Sequence, residues 1–226
     1  MIRKTKAFFY LFILLLLGIF SCSKETEEPQ DMGYDYFPVE QGLYTVYEVR
    51  AIIWDDNDQS VDTSYYQEKR VIDTIFTDNM GRKSYKWNRY IKIDTSDWKY
   101  EHTYAITKTT DRLETVEGNN RYIRLAFPVR LANNWDENAF NAGDEMQAEY
   151  IDVDVEKTIN SKKFDQCAIV LLEDNSSLVN EYYQEEIYAR GVGLVDKIDT
   201  HINKEISGKI TKGYKYTYHI LSYGKE

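Results

Sequence analysis

Apolar and polar residues alternate along most of the chain, in runs broken about every ten residues by clusters of Asp, Asn and Gly. Period-two alternation puts successive side chains on opposite faces of a strand, so the pattern predicts strands. The first strand is predicted from Gly42 to Trp54, stopped by Asp55-Asp56-Asn57-Asp58, and the second from about Thr63 to Thr77, turning at Asp78-Asn79-Met80-Gly81. A third, Arg82 to Ile93, sets Tyr85, Trp87 and Arg89 on one face and Lys86, Asn88 and Tyr90 on the other. Trp98 to Thr107 follows. A hairpin then runs from Arg112-Leu113-Glu114-Thr115-Val116 across Gly118-Asn119-Asn120 to Tyr122 through Phe127, because Gly and Asn tolerate the positive φ of tight turns. Pro128 ends that strand, since proline cannot donate to a ladder.

Leu131 to Asp144 has no clear period and reads as a long loop with one helical turn. Glu145 to Glu156 returns to period two, with Ile151, Val153 and Val155 on a dry face and Asp152, Asp154 and Glu156 on a solvated one. Lys163 to Leu172, Tyr182 to Ala189, Leu194 to Ile202 and Tyr214 to Tyr223 complete about ten strands. Short turns between sequential strands imply antiparallel pairing. The expected fold is all-β: an antiparallel meander forming a curled sheet, barrel or sandwich.

The start of the chain is different. Arg3, Lys4 and Lys6 lead into Ala7 to Phe20, an uncharged stretch too short for a comfortable membrane span, and Ser21 precedes Cys22. Residues 1–21 are therefore expected to be a signal peptide, 22–33 an acidic disordered tether (Ser23-Lys24-Glu25-Thr26-Glu27-Glu28-Pro29 within it), and 34–226 a single β-rich domain. Ile19-Phe20-Ser21-Cys22 resembles the lipobox of bacterial lipoproteins, which implies cleavage before Cys22 and lipid on its sulfur. Each buried methylene of such an anchor contributes about 0.8 kcal/mol. Lys followed by acids after the cysteine also resembles the export signal of Bacteroidota lipoproteins. That implies the outer membrane, with the cell-surface face ahead of the periplasmic face.

Two further elements carry a resemblance. Tyr36-Phe37-Pro38-Val39-Glu40-Gln41-Gly42-Leu43-Tyr44 and Tyr188-Ala189-Arg190-Gly191-Val192-Gly193-Leu194-Val195 resemble the opening and the C-terminal region of a broad group of Bacteroidota lipoproteins. The resemblance implies a secreted β-rich lipoprotein and carries over no catalytic residue. Read physically, Gly191 and Gly193 flank one residue in a strand run, which predicts a bulge or sharp bend.

Composition narrows the function classes. Removing the basic leader takes the balance from 28 basic against 38 acidic residues to 25 against 38, so the exported body is acidic and repels nucleic acid. Of the two cysteines Cys22 is claimed by the anchor, and Cys167, in an apolar run, reads as a small buried hydrophobe. His102, His201 and His219 stand in no metal spacing, no nucleophile elbow or phosphate loop occurs, and Asp55 to Asp58 lacks the glycine and glutamate of a calcium loop. No cofactor, metal or catalytic residue is expected.

The 20 tyrosines and four tryptophans are the open question, because these rings pack sheets and also bind ligands. Trp87, Trp98 and Tyr104 are the candidate ligand-facing aromatics. The expected function is a non-catalytic, lipid-anchored envelope protein that binds a partner protein, glycan or other ligand. Two alternatives stand: a carrier of an apolar ligand, which needs a large cavity, and a glycan- or peptide-acting hydrolase, which needs carboxylates or histidines gathered in a cleft.

Overall fold

The structure, a computed structural model, describes residues 29–226; the leader and Cys22 lie outside the described residues. The chain divides into two units, Met1–Asp31 and Met32–Glu226, and the second is the β body.

Twelve antiparallel strands form one sheet: β1 (Leu43–Trp54), β2 (Val61–Thr77), β3 (Lys83–Lys92), β4 (Lys99–Lys108), β5 (Arg112–Glu117), β6 (Asn120–Ala126), β7 (Asn134–Asp136), β8 (Gln147–Ile159), β9 (Lys162–Ser176), β10 (Asn180–Ala189), β11 (Gly193–Lys204) and β12 (Ile210–Lys225). The order is β6-β5-β4-β3-β2-β1-β12-β11-β10-β9-β8-β7. It is two meanders joined where β1 pairs β12. The sheet curls until its ends meet. There the Ile123 amide donates to the Glu137 carbonyl (2.9 Å), Trp135 Nε1 donates to the Ile123 carbonyl (2.8 Å), and the Tyr150 hydroxyl donates to the Ala126 carbonyl (2.8 Å). The result is a nearly closed barrel whose seam is fastened largely by side chains.

Three expectations change. The stretch from Leu131 to Asp144 contains β7 and turns, and no α-helix occurs among the described residues. Trp135 buries its ring against Tyr150, 4.9 Å between centroids, which recruits a three-residue strand too short to show a period. In β8 the simple alternation fails: Tyr150 is 1% exposed and Ile151 43%. Three register breaks along β8 and a left-handed Asp154 (φ 58°) each shift the phase of the faces. Gly191 and Gly193 mark a hairpin turn between β10 and β11, with φ of 75° and 102°, rather than a bend inside a strand.

One end of the barrel is closed by the chain's own approach to β1. Tyr36 is fully buried and Phe37 nearly so. Gly33 sits at φ 71° with Val129 Cβ only 2.7 Å from where a side chain would begin, so this crossing requires glycine. The Tyr36 hydroxyl donates to Asp154, Arg190 bridges Asp154 and Asp35, and Lys108 Nζ donates to the Tyr34 carbonyl. Antiparallel alternation places the 109–111 and 190–192 turns and both chain ends of the body at this base. The 55–60, 93–98, 177–179 and 205–209 loops lie at the other end.

Candidate functional site

Strand registers map the inner face. Glu186 opposes Lys197, which opposes Tyr218, and Glu68 lies beside Tyr47. These positions belong to a buried ion network that fills the lower barrel. Glu68, fully buried, accepts from Arg70 Nε (2.5 Å) and Arg89 Nε (2.7 Å). Arg124 bridges Glu117 and Glu137, while Lys197 Nζ donates to Glu186 (2.9 Å), which also accepts from the Tyr188 hydroxyl. Arg70, Glu117, Arg124, Glu186 and Lys197 all border one space of about 50 Å³. That is room for a few waters.

Burial alone pushes carboxylates up, and the cations decide the outcome. Burial opposes ionisation of Glu186, but Lys197, Arg124 and the Tyr188 hydroxyl overcome it and hold the carboxyl at about 2. Glu68 and Glu117 are also held below the usual range, against burial, by Arg70 with Arg89 and by Arg124 with Arg70. Glu137 is the exception: burial raises it, Arg124 opposes, and nearby Glu186 adds to the rise. No buried side-chain nitrogen or oxygen among the described residues lacks a hydrogen-bond partner.

The candidate aromatics separate. Trp87 is 6% exposed and lies under the Arg70 guanidinium, 4.7 Å from Cζ to the ring centroid; Tyr104 neighbours it at 6.2 Å and is half-buried on the same face. Trp98 is brought to neither. It lines an outer groove with Lys69, Val71, Asp73, Asn88 and Tyr90. An apolar space of about 90 Å³ beside Trp87 is bordered by Phe37, Leu43, Tyr44 and Tyr47. Pockets for small ligands run about 300–1,000 Å³.

Above the network the barrel opens. β3 pairs β2 only from Gln67 onward, and β8 pairs β9 only up to Leu171, so the far ends of β2, β1, β12, β11, β10 and β9 form a six-stranded open sheet. Its inner wall is read row by row from the registers. One row is Asp62, Ile53, Tyr214, His201, Tyr182 and Asn175; the next is Ser64, Ala51, Tyr216, Asp199, Gln184 and Glu173. Tyr182 stacks on His201 at 3.8 Å, His201 faces Tyr214 at 5.8 Å, and Tyr214 faces Tyr216 at 5.4 Å. Side chains also tie β10 to β11 here: the Tyr182 hydroxyl donates to Asn203, and Gln184 donates to Asp199.

The remaining expected features fall elsewhere. Cys167 is fully buried, and burial pushes its thiol up to about 11. His102 shares the inner face with Tyr104, and His219 pairs with Asp196. Asp55 and Asp58 accept hydrogen bonds from Asn57 and Ser60 of their own loop, as turn carboxylates do. Among the described residues no group of three His, Cys, Asp or Glu could hold a metal ion. The ion network itself was not foreseen. Its one sequence trace is Arg89 in phase with Tyr85 and Trp87, and cross-strand partners cannot be read from a single strand.

No protein-family model matches the chain, and no curated protein matches it by sequence. Among solved structures it is similar to a Parabacteroides distasonis protein designated a lipoprotein, at 11% identity and TM-score 0.42, covering 86% of this chain and 100% of that one. It is also similar to a domain designated an outer-membrane lipoprotein-sorting protein from Vibrio parahaemolyticus, at 8% identity and TM-score 0.20, covering 82% and 86%.

Proposed function

We propose that the chain is an exported, lipid-anchored envelope lipoprotein of the outer membrane whose β body binds a partner without catalysing a reaction. The anchor rests on Cys22 at the end of the leader. The observation that carries the binding role is the open six-stranded sheet: a rigid, ion-locked lower barrel supports a half-exposed wall of Tyr182, His201, Tyr214 and Tyr216 at the end away from the chain's entry. Tyrosine and histidine suit such a surface, since they combine apolar area with polar edges and lose little side-chain entropy.

A carrier holding an apolar ligand inside the barrel is the weaker reading, because the spaces beside Trp87 measure about 90 and 50 Å³. A hydrolase is weaker again. The gathered carboxylates Glu68, Glu117 and Glu186 are each paired with fixed cations, which suits structural locking rather than proton transfer.

Site-specific photo-cross-linking in cells tests the binding role. A photoreactive residue at Ser64 or Tyr216 on the open sheet is expected to give a discrete adduct that one at Asn160, at the base, does not. Adducts of equal yield from both ends, or from Asn160 alone, would contradict it.

A further inference from the structure

The open sheet has two edges, and they are built differently. The β9 edge, Leu172–Ser176, carries Glu173 and Asp174 and lies next to a register break against β10. Charges and bulges are the usual guards against strand addition. The β2 edge, 61–66, has neither device to the same degree. Val61-Asp62-Thr63-Ser64-Tyr65-Tyr66 contains one acid, no lysine and no proline, and runs in unbroken register from Trp54↔Val61 to Val49↔Tyr66. No strand among the described residues pairs its outer side. Val61 is 56% and Tyr65 59% exposed. An unpaired, exposed edge in unbroken register is a template for an added strand.

We propose that the β2 edge at 61–66 binds an extended segment of another polypeptide by strand addition. The proposal rests on the reading of the body as a lipid-anchored binding module and names the partner's chemistry. Main-chain hydrogen bonds supply the attraction, and the two faces of β2 specify the side chains. Asp62 and Ser64 share the inner wall with Asp199 and Glu173, so the added strand carries basic or polar residues on that side. Val61 and Tyr65 lie on the outer side, where Arg50 sits 6.0 Å over the Tyr65 ring, so its other face is apolar. The acidic balance of the body favours the same basic partner.

A second copy fits less well. Its own 61–66 segment offers no Lys or Arg to Asp62 and brings a second acid instead.

The test uses the purified full chain in detergent and a capped synthetic octapeptide alternating Val and Lys, with the same peptide N-methylated at alternate residues as control. Amide hydrogen exchange is read at each residue. The expected result is slowed exchange across Val61–Tyr66 with the first peptide and none with the N-methylated one. Asp62→Lys, an exposed change, is expected to weaken binding about fivefold to tenfold. Unslowed exchange at 61–66 at saturating peptide, equal binding of the methylated peptide, or slowing that tracks protein concentration without peptide each overturns the proposal. Failure of the anchor would appear instead as absence of lipid on Cys22, which this assay does not read.

Discussion

Arg70 lies over Trp87, 4.7 Å from Cζ to the ring centroid, while its Nε donates to fully buried Glu68 at 2.5 Å. One guanidinium thus fills the space beside the candidate tryptophan and neutralises a carboxylate that has no contact with solvent. Removing one partner of such a pair leaves an uncompensated charge, at a cost of about 3–5 kcal/mol, whereas replacing both by apolar residues is often neutral. Arg70→Ala is expected to lower stability by less than that full amount, because Arg89 still reaches Glu68 at 2.7 Å, and Glu68→Met with both Arg70→Met and Arg89→Met to recover most of it. Urea unfolding checks both.

Acid should unfold the body through Glu186. Its folded carboxyl sits at about 2, below the ordinary 4.5, because Lys197, Arg124 and Tyr188 outweigh burial. The unfolded chain binds the proton more readily, so this stabilisation is complete above about pH 4.5 and is lost as pH falls toward 2. Glu186→Gln should flatten the stability profile in that window; an unchanged slope would show that other acids set it.

Lys108 predicts a second rise in stability, at high pH. Burial lowers its ammonium from 10.5 to about 8, with Asp35 opposing. Between those values the unfolded state holds more protons, so stability should rise with pH from about 8 to 10.5. Lys108→Met should remove that rise, as thermal melts across the range would show.

Cys167 should be silent in the native protein. Burial pushes its thiol up to about 11 and the residue has no exposed surface. In a Cys22→Ala chain, a disulfide thiol reagent is expected to detect no thiol before denaturation and one per chain after it. Rapid native labelling would mean that β9 opens locally.

The strands were legible because alternation and turn residues are local properties. Gly42 to Trp54 and the Gly118 hairpin appear within a residue or two of their expected bounds. β7 was not legible, since three residues held by Trp135 against Tyr150 leave no period. The phase slips in β8 depend on bulges that only pairing with β9 defines. The same limit hid the candidate site. Glu68, Arg124, Glu186 and Lys197 look like ordinary strand charges until the curl of the sheet brings β2, β6, β10 and β11 around one interior. The wall of Tyr182, His201, Tyr214 and Tyr216 likewise exists only through register.

The most direct test of the whole account is palmitate labelling of cells expressing the native chain beside Cys22→Ala, followed by membrane fractionation. The account predicts label on the native chain alone, with the native chain in the outer-membrane fraction and Cys22→Ala unlabelled. A native chain that takes no label would contradict it.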